Sequence, residues 1–178
     1  AFEILSEKKN RRILDSTELM NSQKAKEIRM VLGGALYQDY DSLLLNAGVW
    51  NTVTKREPTA KEKNALIFAW KIAKHVKSNA VVFTTDSQTI GIGAGQMSRV
   101  DSCKIAVEKA RTSGLEIKGT VMASDAFFPF RDTVDFAGKA GATAIIHPGG
   151  SKRDEEVIQA ADEHNMAMVF TGVRHFKH

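Results

Sequence analysis

The chain has 178 residues, 43% apolar and 26% charged, with a formal net charge of +4. That length favours one domain, with room for an appendage and a sizeable core, and the composition is that of an ordinary globular protein. The single cysteine, Cys103, excludes an intrachain disulfide and a cysteine-based zinc site, and no apolar run approaches the roughly 20 residues of a membrane span.

The first 57 residues are polar and weakly periodic. They open on a helical-looking stretch without Met, in an order (apolar, then charged) opposite to that of a signal peptide, as if cut from a longer chain. "RRIL" and "IRMVLGGALYQDY" read as strands, with Gly33-Gly34 marking a bulge or a close backbone approach. After Pro58 the pattern becomes regular. Thr59–Glu62, "TAKE", is a capping box that opens an amphipathic helix running to about Ser78. "AVVFTT" and "QTIGIG" make a hairpin over residues 80–93. A helix follows from Met97 to Arg111, capped by Ser98, then a strand "GTVMAS" and a short helix from Asp132 to Ala140. "ATAIIH" is an apolar strand, Arg153–His164 a helix, and "MAMVF" the last strand. Alternating units with apolar strands predict an α/β, three-layer α-β-α fold around a mixed, mostly parallel sheet. Residues 1–57 would form an extension and 58–178 the main unit.

Ligands of such sheets bind beyond the carboxyl ends of the strands. Three loops fall there, "SDAFFPFRD", "HPGGS" and "TGVRHFKH", and they are expected to converge. In the first, Phe127 and Phe130 face outward on a turn stiffened by Pro129, or the rings plug the core, as expected for Phe128. Asp132 could accept two parallel N–H bonds from a flat heterocycle, or cap the next helix. The glycines of "GIGAGQMSR" suit a ligand approaching backbone, or a tight strand-to-helix turn. Arg99, one turn into that helix, could reach across the strand ends. In "HPGGSKRDEE", Ser151 and Asp154 resemble a capping box, Gly149 and Gly150 could offer N–H groups, and His147 is a base or a structural histidine. Arg174 and Phe176 look like a contact for an anion and a ring. Cys103 reads as a small core residue. The scattered basic residues read as solvated surface, not a nucleic-acid or membrane patch, and their balance suits an anionic small molecule.

"NTVTKREPT", "KSNAVVF", "IGIGAGQMSRV", "SDAFFPFRD", "HPGGSKRDEEVIQAADEH" and the terminal "RHFKH" occur here in order. Together they resemble the C-terminal part of the AICAR transformylase/IMP cyclohydrolase family, and the resemblance covers essentially the whole chain. It implies cytidine-deaminase-like units without zinc, an intertwined homodimer in the cytoplasm, and formyl transfer from 10-formyltetrahydrofolate, as cosubstrate, to the amine of AICAR. By that resemblance Phe127 and Phe130 wall the folate pterin and Asp132 accepts its N–H groups. Asn79 and Arg99 lie near the folate and the formyl group, and Arg174 and Phe176 at the nucleotide. The family's catalytic Lys-His pair belongs earlier in the chain. Lys74-His75 occupies a different place, on the helix before Asn79, so no catalytic residue is assigned beyond Asn79 as a candidate. The chain alone is expected to be inactive, with residues 1–57 belonging to the preceding transformylase unit. A monovalent cation is not specified by the sequence.

Two other classes compete with that reading. One is a non-catalytic dimerisation or ligand-binding module. The other is a zinc deaminase of related fold, against which stands the lack of His-x-Glu and Pro-Cys-x-x-Cys. Nor is there a Gly-x-Ser-x-Gly elbow for a serine nucleophile.

Overall fold

A computed structural model describes residues 2–14, 26–43 and 50–177. The chain divides into two compact units, Ala1–Ser42 and Leu43–His178.

The first unit holds a short helix, α1 (Phe2–Ser6), and a hairpin of β1 (Lys26–Val31) and β2 (Gly34–Asp39). The register runs from Lys26 opposite Asp39 to Val31 opposite Gly34. Leu32 and Gly33 make the turn, and Gly33 has φ +84°, a conformation glycine adopts without steric cost. A Cβ at Gly33 or Gly34 would meet nothing within 4 Å. The glycine pair therefore serves a turn, not the bulge or close approach expected from the sequence. Arg11–Leu14, expected as a strand, is irregular: the Arg11 N–H closes a turn onto Lys8 O at 2.9 Å just after α1.

In the second unit the elements are β3 (Asn51–Thr52), α2 (Ala60–Ala73), β4 (Val81–Thr84), β5 (Thr89–Gly93), α3 (Arg99–Thr112), β6 (Val121–Ser124), α4 (Asp132–Ala140), β7 (Ala144–His147), α5 (Asp154–Glu163) and β8 (Ala167–Phe170). They build one six-stranded sheet in the order β3-β8-β7-β6-β4-β5. The β6–β7 and β7–β8 pairs are parallel, and β3, β4 and β5 join antiparallel. Strands β5, β6, β7 and β8 thus share one direction and β3 and β4 run opposite, so the mixed, mostly parallel sheet follows the expected design.

The period of two along each strand divides the core. Val82, Val121, Ala123, Ile146 and Val169 face α2, where Leu66 and Trp70 are fully buried. Val81, Phe83, Met122, Ile145 and Met168 face α3, α4 and α5. Helices therefore cover both faces, the three-layer arrangement, and burying a side chain such as Leu66 contributes about 1.5–3 kcal/mol.

Thr59 caps α2: its side chain accepts the Glu62 N–H, and Glu62 accepts the Thr59 N–H in return, the expected capping box. Glu62 also takes a two-pronged bond from Arg56, 2.9 Å on each oxygen. Burial would raise the Glu62 carboxyl, but Arg56 and the cap bonds outweigh it and hold it down at about 2. Arg56 further donates to Asn165 O at 2.9 Å and to Thr143 O, tying the segment before α2 to the loops preceding β7 and β8. Helix α2 ends at Ala73, earlier than expected, because Lys74–Ser78 turns back toward β4.

Candidate functional site

Strands β5, β6, β7 and β8 all end on one edge of the sheet, and β4 begins there, with Val81 opposite Ser124. The centre of this edge is Asp125, the first residue after β6 and fully buried. A buried carboxylate is costly unless paired and hydrogen-bonded. Here it accepts the Ala80 N–H at 3.2 Å, the Ser78 hydroxyl, and Arg99 Nη2 at 3.2 Å. Arg99 also donates through Nε to Ser124 Oγ at 3.1 Å. Burial pulls the Arg99 guanidinium below its ordinary value, Asp125 opposes that, and the nearby Arg174 cation adds to it. Arginine stays charged throughout. Asn79 lies beside this cluster: its side-chain amide donates to Gln96 O at 2.9 Å, and its carbonyl accepts the Ser102 hydroxyl at 2.6 Å.

The tail after β8 closes the site. The His175 N–H donates to Asp125 O at 3.0 Å, and its buried ring lies 4.8 Å from Trp70. Ser78 N–H donates to Lys177 O at 2.8 Å. With His175 turned inward, its neighbours Arg174 and Phe176 are exposed. The Arg174 guanidinium covers the Phe127 ring at 4.6 Å, and Arg153 covers Phe130 at 4.7 Å.

The three loops therefore converge with Arg99, and Asn79, Arg99, Phe127 and Arg174 share one corner. Phe130 and Asp132 take other partners. Asp132 opens α4, its Oδ1 accepting the Thr133 N–H at 2.7 Å and the Thr133 hydroxyl at 3.3 Å. It lines a cleft of about 410 Å³ with Val100, Lys104, Asp135, Phe136 and Lys139. Val100 adjoins Arg99, so this cleft borders the corner. A cleft of about 620 Å³ beside Lys55, Arg56 and the outer face of α5 lies at the opposite end of the strands, near Asn165.

Several alternatives left open by the sequence are decided by these contacts. Phe128 is fully buried, a core plug. His147 is buried between Phe128 and Phe170, at 4.8 and 4.7 Å; its Nδ1 accepts the Gly149 N–H at 3.1 Å. Burial, with Arg99 nearby, depresses its pKa to about 3, so it is a neutral structural histidine and not a base. The Gly150 N–H is bound to Asp154 at 2.7 Å, and Asp154 also accepts the Ser151 N–H, so these loop amides are engaged within the chain. Ser151 is not the cap of α5: Arg153 holds that position without a side-chain bond. A Cβ on Gly91 would sit 2.2 Å from Ala106 O, and on Gly93 1.8 Å from Ser102 O. Those glycines admit the backbone of α3, not a ligand. Cys103 is buried, and burial with the Asp132 charge pushes its thiol up to about 12, so it is inert.

Sequence reasoning missed Asp125, Ser78 and His175 as organisers. The available signal was an acid directly continuing the strand "GTVMAS", since a carboxylate buried there needs hydrogen-bonding or cationic partners. Among the described residues no group of three His, Cys, Asp or Glu side chains is placed to hold a metal ion, and no helix is long and apolar enough to cross a membrane.

Residues 1–109 match the model of the AICARFT/IMPCHase bienzyme family. The whole chain is 56% identical to 35% of a bifunctional purine biosynthesis protein PurH of Chloroflexus aurantiacus, and 53% identical to 34% of the PurH of Aquifex aeolicus. It thus spans about a third of the length of these curated relatives. Among solved structures, a dCMP deaminase from the cyanophage S-TIM5 aligns with 64% of this chain and 98% of its own, at 14% identity and a TM-score of 0.41. With most of its length matched by the family model and all of it by two PurH sequences, the chain belongs to the AICARFT/IMPCHase bienzyme family.

Proposed function

We propose that this chain is the C-terminal part of an AICAR transformylase of purine biosynthesis, and that its strand-end corner forms the folate side of the transfer site. In that reaction the amine nitrogen of AICAR bonds to the formyl carbon of 10-formyltetrahydrofolate and the bond from that carbon to N10 breaks. The amine loses a proton and N10 gains one. The observation that carries the reading is the meeting of Arg99, Asn79, Phe127 and Arg174 at one corner, beside the Asp132 cleft. Two guanidiniums suit an anionic nucleotide and the folate carboxylates. The rings of Phe127 and Phe130 suit a flat pterin, with Arg174 and Arg153 displaced or stacked beyond it, and Asp132 would accept its N–H pair. Arg174 and Phe176 would face the nucleotide.

Proton transfer by a placed acid or base contributes about 10²–10⁴-fold, and His147 is too buried to supply it. Hence the 178 residues alone should bind folate weakly and transfer formyl at background rate, the working enzyme being a cytoplasmic homodimer of longer chains. Hydrogen exchange tests the assignment: 10-formyltetrahydrofolate should slow exchange at Phe127–Asp132, and no protection at saturating ligand would sink it. Robust turnover by this chain would instead place the base among its own residues. A second reading, a non-catalytic dimerisation module, has in its favour the exposed Met30, Leu36 and Tyr37 of the hairpin. A dimer that ignores folate in sedimentation and exchange would select it.

A further inference from the structure

We propose that Asp125 is a positioning residue that fixes both cations of the corner, Arg99 through its side chain and Arg174 through its main chain. Asp125 is fully buried and Arg99 nearly so, with side-chain exposures of 0% and 11%. The carboxylate is held from the β4 side by Ala80 N–H and the Ser78 hydroxyl, and offers its remaining capacity to Arg99 Nη2. Its neighbour Ser124 takes Arg99 Nε, so the guanidinium is gripped at two points and has one orientation. The Asp125 carbonyl accepts the His175 N–H, and the next residue back is Arg174, lying over Phe127. One residue therefore joins the end of β6, the start of β4, the start of α3 and the tail. The Arg174 cation is near enough to disfavour the charge on Arg99, and the Asp125 carboxylate opposes that effect.

The consequence for ligands rests on the folate reading above, but the placement itself does not. Nitrogen-15 NMR of the chain resolves the two on the arginine Nε–H signals. In the wild type, Arg99 Nε–H should be dispersed and slow to exchange, and 10-formyltetrahydrofolate should shift it. Asp125→Asn keeps the shape and one acceptor but removes the charge. Arg99 Nε–H exchange should then accelerate about ten- to hundred-fold, the equivalent of losing one charge-assisted bond, while the His175 amide, held by the main-chain carbonyl that asparagine keeps, should stay slow and leave Arg174 over Phe127. An unchanged Arg99 signal in a folded Asp125→Asn chain overturns the proposal, as does a fast-exchanging His175 amide in the wild type. If that variant does not fold, Ser78→Ala retains the charge while removing one anchor of the carboxylate. Faster Arg99 exchange there supports the proposal, and unchanged exchange overturns it. A wild-type chain whose Arg99 signal ignores 10-formyltetrahydrofolate defeats the folate reading, while the variants still decide the role of Asp125.

Discussion

The Arg174 guanidinium carbon lies 4.6 Å from the centre of the Phe127 ring, which joins the loop after β6 to the tail after β8. A cation over an aromatic face is worth about 0.5–1 kcal/mol at a partly exposed site. Phe127→Leu keeps apolar bulk and removes that attraction. The tail should loosen without global unfolding, and amide exchange at Val173–Lys177 should quicken about two- to fivefold. Equal exchange in variant and wild type would mean that His175, not the ring, holds the tail alone.

The buried His147 makes stability depend on pH in a definite direction. Its folded pKa of about 3 lies below the ordinary 6.5, so the unfolded chain binds the proton first. Stability should be complete above about pH 6.5 and fall as pH drops toward 3, at up to about 1.4 kcal/mol per pH unit from this residue. Urea titrations at pH 7, 5.5 and 4.5 would show it. His147→Gln retains an acceptor for the Gly149 N–H but cannot charge, so its curve should be flatter across that window, even if the variant is less stable at pH 7.

At Gly93 the prediction concerns space. An added methyl would stand 1.8 Å from Ser102 O on α3, a backbone atom that cannot swing aside. Gly93→Ala should therefore cost about 2–4 kcal/mol and push away the helix that carries Arg99. Gly34→Ala, in open space on the hairpin, should change stability by no more than about 0.5 kcal/mol. Thermal melts of the two variants check the contrast. A neutral Gly93→Ala would show that α3 can retreat from β5.

Much of the sheet was legible because its signals are local. "TAKE" contains both halves of a capping box, and "ATAIIH" and "MAMVF" have the apolar continuity of central strands. The order of those elements already placed three loops at one edge. What escaped were features set by partners distant in sequence. Nothing near Asp125 reveals that Ser78, Ala80, Arg99 and His175 surround it. Nothing near Gly91 and Gly93 shows that a helix backbone, and not a ligand, occupies the space they leave. Helix α2 ends earlier than its local pattern predicts, because Lys74–Ser78 is compatible with a helix locally and the turn is imposed by bonds to the loop of Gly95 and the tail at Lys177.

Asp132 gives the sharpest test of the ligand reading, because its two oxygens can be separated. Both of its bonds to Thr133 use Oδ1, so asparagine, turning its carbonyl oxygen that way, preserves the start of α4. The change falls on the other position, where an N–H₂ replaces an anionic oxygen. A pterin N–H pair directed at Asp132 would then meet a donor at one of its two contacts. A hydrogen bond to a charged group contributes about 1.5–3 kcal/mol, so Asp132→Asn should weaken 10-formyltetrahydrofolate binding roughly ten- to hundred-fold. The melting temperature should move little, since the side chain is exposed and its helix bonds survive. Calorimetric titration together with a thermal melt separates the two effects. Unaltered affinity in a folded variant would show that the pterin does not use this carboxylate, and the cleft between α3 and α4 would then lose its place in the proposed site.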